Sequence, residues 1–161
     1  MIDFKIEEIM PLCREFSVEM DDDIKNKLNL YGNLLLEWNK KINLTAIKEP
    51  KEVLYKHFYD CILFFKNVNV PSNAKIIDVG TGAGFPGLVL KIVRPDLEVV
   101  LLDSLNKRIL FLNDVIEKLN LKNITAIHSR AEDGAKNKLY REKFDIACAR
   151  AVANLPVLLE Y

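Results

Sequence analysis

The sequence predicts an α/β protein, a parallel Rossmann-like sheet preceded by an N-terminal helical extension. Residues 75–90, KIIDVGTGAGFPGLVL, pass from β-branched residues through a glycine-rich turn into a helical pattern. After them, strand-like and helix-like segments alternate at short intervals, the pattern of parallel strands joined by crossover helices. Before them, apolar residues recur at helical spacing. The division expected is a helical extension over residues 1–72 and a sheet-containing core over residues 73–161.

In the extension, Ile24, Leu28, Tyr31, Leu35 and Trp38 recur at steps of four and three behind the acidic start signal Asp21, Asp22 and Asp23. A second amphipathic helix opens at Glu49 and Pro50, with Leu54, His57, Cys61 and Phe64 on one face. Residues 39–47, NKKINLTAI, form a polar and basic connection between the two, and turn formers over residues 67–73 mark the joint with the core. Ile76, Ile77 and Val79 then supply the first strand. Gly80, Gly82, Gly84 and Gly87 relax the backbone where it turns and approaches a ligand, and Pro86 suits the first turn of the helix that follows. Residues 98–102 read as a second strand, and Leu105, Ile109, Leu112, Ile116 and Leu119 trace the apolar face of the next helix. Residues 123–127 and 144–149 read as strands three and four. Right-handed crossovers bring the carboxyl ends of such strands to one edge, so the glycine turn, Asp103, the run from Ser129 to Glu132, and Arg150 should converge there.

Half of the residues are apolar, enough for a real core, and lysine plus arginine balance aspartate plus glutamate at zero net charge. No global basic field therefore advertises nucleic acid, although a local patch is compatible with neutrality. Cys13, Cys61 and Cys148 are odd in number and lie outside metal-ligand spacing, which predicts buried, reduced thiols in a cytoplasmic protein and no metal site. No apolar run approaches membrane-spanning length.

The glycine turn fits two motifs. Gly82, Gly84 and Gly87 match the G-x-G-x-x-G of dinucleotide-binding folds. Asp78 followed by Gly80, Gly82 and Gly84 instead resembles the first motif of S-adenosylmethionine-dependent methyltransferases, where a carboxylate suits a cationic sulfonium and would repel a pyrophosphate. Asp103, nineteen positions after Gly84, ends the second strand where an acid accepts from ribose hydroxyls; the plain alternative is a helix N-cap among Asp103, Ser104 and Asn106. Ser129, Arg130, Ala131 and Glu132 spell a capping box, and the amides of Ala131 and Glu132 also stand in the order expected for an adenine edge. Arg150 closes the fourth strand where substrate would meet the methyl group, with an anion of substrate or cofactor, Asp145 or Glu160 as its partner.

His57 reads either as a core histidine helped by Asp60 or as a substrate residue, and Lys40, Lys41 and Lys48 as RNA-phosphate contacts or as a solvated loop. No Asn-Pro-Pro-Tyr-like run follows the fourth strand, Cys148 has the surroundings of a structural thiol, and no general base is evident. That combination fits an acceptor with its own free lone pair, such as a purine ring nitrogen.

Several stretches together resemble the RsmG (GidB) family of bacterial methyltransferases. They are KINLTAI at residues 41–47, H-x-x-D at His57 and Asp60, DVGTGAGFPGLVLKI at 78–92, LLDSLNKRILFL at 101–112, RAE at 130–132 and ARAVANL at 149–155. The resemblance implies methyl transfer from S-adenosylmethionine, leaving S-adenosylhomocysteine, to N7 of an unstacked guanine in small-subunit ribosomal RNA, free or in the subunit, by a monomeric cytoplasmic enzyme. It implies cofactor contacts at Gly80, Phe85, Asp103, Ser104, Leu105, Ala131, Glu132 and Arg150, the last also facing substrate, and RNA-side roles for the NLTAI segment, Lys107 and Arg108. Family members continue beyond the length of this chain, so a C-terminally truncated, incomplete sheet is expected. The competing readings are an NAD-dependent oxidoreductase on the same glycine turn and a non-catalytic RNA-binding or ribosome-assembly module that retains the cofactor fold.

Overall fold

A computed structural model describes residues 4–150 and 156. The chain opens with a 3-10 turn at Ile6–Ile9 and helix α1 at Met10–Arg14, followed by α2 at Asp22–Asn39. Asp21 caps α2 by accepting from Ile24 N at 2.8 Å, and Asp22 and Asp23 complement the helix dipole. Next come α3 at Pro50–Val53, a π-helical turn at Leu54–Tyr59, α4 at Asp60–Ile62 and α5 at Phe64–Asn67. The core alternates β1 (Lys75–Val79), α6 (Gly87–Val93), β2 (Glu98–Asp103), α7 (Asn106–Lys118), β3 (Ile124–His128), α8 (Ala131–Lys136) and β4 (Ile146–Ala149).

The four strands of the described residues are parallel, in the order β3-β2-β1-β4. The chain steps outward from β1 to β2 to β3 and then returns to the other side of β1, so strand order reverses between β1 and β4. A crevice opens at such a switch point on the carboxyl edge of a doubly wound sheet. Register puts Val79 beside Leu102 and Ala149, and Asp103 beside His128, which aligns the strand ends that bear the glycine turn, Asp103 and Arg150.

Three expectations need correction. The second helix of the extension is not one continuous α-helix: the π turn slips its face by a residue, so Phe58 and Ile62 are buried while His57 and Phe64 are only half-buried. On α7, Phe111 and Val115 join Ile109 and Leu112 in the core, because α2 covers this helix as well; Leu105 is exposed. Trp38 packs edge-on to Phe111 and donates from Nε1 to Asp114 at 2.9 Å, which fixes α2 across α7. Finally, Phe144 and Asp145 precede β4 rather than belong to it, and Asp145 accepts from Lys75 N at 2.8 Å.

Extension and sheet share one continuous apolar core, from Phe4 and Ile6 through Leu28 and Phe58 to Leu101 and Cys148. Tyr31 is the central link. Its ring is fully buried against Phe58, Phe85 and Phe111, and its hydroxyl donates to Ala83 O in the glycine turn at 2.5 Å. Tyr31→Phe leaves that carbonyl without its partner and is expected to lower stability by about 1 kcal/mol, measured as a shifted urea midpoint at unchanged slope.

Candidate functional site

The turn after β1 takes its shape from glycines and one buried acid. Gly80, Gly82 and Gly84 have φ of 66°, 62° and 101°, a region that side chains with a Cβ rarely enter. Asp78 is 0% exposed; its Oδ2 accepts from Thr81 Oγ1 and from Gly87 N, both at 2.7 Å, so one carboxylate oxygen clamps both ends of the turn. Its Oδ1 is buried without a hydrogen-bond partner. Gly87 is required by contact, since a Cβ there would stand 2.6 Å from Leu101 Cδ2 and 2.8 Å from Asp78. A Cβ on Gly82 would meet nothing within 4 Å, so open space lies over the turn at that residue.

Burial raises the Asp78 carboxyl to about 7, against the lowering effect of the Thr81 and Gly87 hydrogen bonds. The folded value lies above the unfolded one, so the native state binds the extra proton and this group's contribution to stability is lost as pH rises from about 4 to about 7. In Asp78→Asn the carbonyl can keep both clamping bonds while the amide takes the unpartnered position. The stability of this variant relative to wild type is therefore expected to increase across that interval, read from urea melts at each pH.

Asp103, at the end of β2, is 2% exposed and is not a helix N-cap; that position of α7 belongs to Leu105. Its Oδ2 accepts from Gly82 N at 2.8 Å and its Oδ1 from Leu105 N at 2.9 Å, so it ties the glycine turn to the loop after β2. Arg108 Nη1 approaches the same oxygens at 3.3 and 3.5 Å, while Arg108 Nε is buried without a partner. Ser104 and Leu105 are exposed beside it, and Ser104 O accepts from His128 Nε2 at 3.0 Å. Past β3, Ala131 is half-buried and Glu132 exposed. The helix starts one residue later than the capping box predicts: Arg130 is the N-cap of α8 and makes no side-chain cap hydrogen bond, and Ser129 Oγ donates to Arg130 O.

Arg150 finds its partners in the helical extension. It donates from Nη1 to Asp60 Oδ2 at 3.2 Å and from Nη2 to His57 Nδ1 at 2.9 Å, with Cys61 Sγ at 3.9 Å. Its guanidinium lies 5.2 Å from the centroid of Phe85. Asp145 is engaged at the opposite end of the strands, by Lys75 N. Glu160, along with the Ala151–Leu155 part of the last motif and Tyr161, lies outside the described residues. Phe85 is 4% exposed, its ring turned inward among Tyr31, Phe58 and His57. Burial first, and then Arg150, lower the His57 imidazole to about 4 against the raising effect of Asp60, so the ring is neutral at physiological pH.

The connection at residues 39–47 is pinned rather than loose. Asn39 is 7% exposed; its Oδ1 accepts from Leu44 N and Thr45 N, and its Nδ2 donates to Thr45 O. Thr45 Oγ1 then meets His57 Nε2 at 2.9 Å. Sequence reasoning treated this loop, His57 and Arg150 as separate features. The signal that joins them is chemical: a buried-face histidine and a strand-end arginine each need a partner. Lys40, Lys41 and Lys48 are exposed along the loop. Cys13, Cys61 and Cys148 are buried and free, and burial pushes the Cys13 and Cys148 thiols up to about 11 and about 12. Among the described residues no group of three or more His, Cys, Asp or Glu could hold a metal ion, and no helix is long and apolar enough to cross a membrane.

A parallel sheet in this order, with a glycine turn and an acid at its switch point, is the Rossmann-like fold that S-adenosylmethionine-dependent methyltransferases share with dinucleotide-binding proteins. Solved structures share it: a protein-L-isoaspartate O-methyltransferase superposes with a TM-score of 0.60 at 14% identity over 89% of this chain and 47% of its own. A coclaurine N-methyltransferase bound to N-methylheliamine and SAH superposes with a TM-score of 0.55 at 13% identity over 96% of this chain and 44% of its own. The chain belongs to the GidB family, rRNA small subunit methyltransferase G, which matches residues 24–161. Ribosomal RNA small subunit methyltransferase G of Clostridium perfringens (strain 13 / Type A) is 58% identical over 149 residues, 92% of this chain and 62% of the relative. The chain thus spans under two thirds of the length of that relative.

Proposed function

We propose that this chain binds S-adenosylmethionine in the crevice between the carboxyl ends of β1, β2 and β4, and forms the cofactor-binding part of an enzyme that methylates guanine N7 in small-subunit ribosomal RNA. The observation that carries the reading is Asp103, whose two oxygens hold Gly82 N and Leu105 N beside the open space over Gly82. A carboxylate offers about four lone-pair positions. The two backbone donors take one on each oxygen, and Arg108, at 3.3 to 3.5 Å, holds the remainder weakly. Two acceptor positions are therefore available to a pair of ribose hydroxyls once Arg108 swings aside.

S-adenosylmethionine supplies an electrophilic methyl group on a cationic sulfonium. Asp78 holds the shape of the turn through Thr81 and Gly87 rather than by contact with the ligand. In this reading the exposed Leu105 and the Ala131 and Glu132 amides flank the place for adenine, and the amino-acid tail runs along the backbone of Gly80, Gly82, Gly84 and Phe85, with its room in the open space at Gly82. Arg150 uses three of the five N–H groups of a guanidinium on His57, Asp60 and Cys61, which leaves donors for the substrate. Guanine N7 carries its own lone pair, so no residue need remove a proton before transfer and orientation does most of the work.

Residues 1–72 and 73–161 act together in this reading, since Tyr31, His57 and Asp60 of the extension reach the glycine turn and Arg150. The partner is small-subunit RNA or the subunit itself, and the protein works as a cytoplasmic monomer. Family membership removes the grounds for the oxidoreductase alternative. Incubation with methyl-labelled S-adenosylmethionine and either naked small-subunit RNA or the small subunit, followed by mapping of the label, tests the reaction. Label on a guanine N7 supports it, and label on another atom or base contradicts it.

A further inference from the structure

Three motifs far apart in the sequence meet at one imidazole. His57 Nδ1 lies 2.9 Å from Arg150 Nη2, and His57 Nε2 lies 2.9 Å from Thr45 Oγ1. A guanidinium has donors and no acceptor, so Nδ1 must present its lone pair, and the single hydrogen of the neutral ring must sit on Nε2. Thr45 Oγ1 then accepts from Nε2–H as well as from Ile47 N at 3.2 Å. The imidazole stacks on Phe85 with centroids 4.7 Å apart and planes at 16°, and the same phenyl ring lies under the Arg150 guanidinium. Asp60 Oδ2 holds another N–H of that guanidinium, and the π-helical turn at Leu54–Tyr59 carries the histidine.

We propose that His57 is a positioning residue whose neutral, Nε2-protonated imidazole holds the Arg150 guanidinium at the crevice and locks it to the Asn39-pinned loop through Thr45. This rests on reading the crevice as the methyl-transfer site. A proton on Nδ1 turns the acceptor facing Arg150 into a donor and opens the lock. The charged and titratable groups around the ring are Arg150 at the end of β4 and Asp60 on α4; Asp78, Tyr31 and Cys61 surround Arg150 in turn.

Nitrogen chemical shifts of the imidazole test the lock in the chain itself. Nδ1 bare and Nε2 protonated at neutral pH is the expected result, with Arg150→Ala moving the Nδ1 signal. A protonated Nδ1 at neutral pH, or shifts indifferent to Arg150→Ala, overturns the proposal. In methyl transfer, His57→Leu is expected to lower kcat by about 10- to 100-fold. His57→Gln, whose carbonyl can accept from Arg150, recovers most of that loss and also loses the decline of kcat at acid pH. Equal losses in the two variants overturn the proposal. If the wild type binds no S-adenosylmethionine while the imidazole shifts stand as expected, it is the reading of the crevice as the methyl-transfer site that fails and the lock that holds.

Discussion

Asp103→Asn is expected to weaken S-adenosylmethionine binding by about 10- to 100-fold, the loss of one charge-assisted acceptor worth about 1.5–3 kcal/mol. The same change costs the fold. Gly82 N and Leu105 N donate to different oxygens of Asp103, at 2.8 and 2.9 Å, so either orientation of an asparagine amide sets an NH2 group against a backbone N–H. A stability loss of about 1–3 kcal/mol follows. Asp78→Asn contrasts with it, because an unpartnered oxygen position is present there to receive the amide. Calorimetric titration and urea unfolding of the two variants side by side separate an acid that faces the ligand from one that clamps the turn.

Two neighbouring glycines should fail in opposite ways when changed to alanine. Gly84 has φ 101°, and a Cβ there would stand 2.8 Å from Tyr31 Oη and 2.9 Å from Leu88 Cβ. Backbone strain and overpacking add to an expected loss of about 2–5 kcal/mol for Gly84→Ala. Gly82 has φ 62°, and a Cβ there touches nothing, so Gly82→Ala should cost only about 1–2 kcal/mol of stability. That methyl group nevertheless enters the space assigned to the cofactor, and affinity should fall by more than stability does. Equal stability losses in the two variants, or unchanged affinity in Gly82→Ala, would count against the assignment of that space.

The architecture was legible in the sequence wherever local chemistry and periodicity agreed. The acidic start of α2, the glycine turn and the alternation of strands with α6, α7 and α8 all follow from patterns within one element. What escaped depended on contacts between elements. The π turn at Leu54–Tyr59 has no periodic signature, so the burial of Phe58 over His57 was unreadable. The Ser129 capping box matches by spacing, yet the turn after β3 enters α8 one residue later. The bonds that one oxygen of Asp78 accepts from the Thr81 hydroxyl and the Gly87 amide are likewise not reported by the place of an acid in the motif. Asp60, which pairs with Arg150, lies ninety positions away from it, a separation that no local pattern reports.

Calorimetric titration of the wild-type chain and of Asp103→Asn with S-adenosylhomocysteine and with NAD tests the cofactor site most directly. Saturable binding of S-adenosylhomocysteine, weakened by about 10- to 100-fold in Asp103→Asn, with no heat from NAD, is the predicted result. Saturable NAD binding, or S-adenosylhomocysteine affinity that is the same in both proteins, would contradict it.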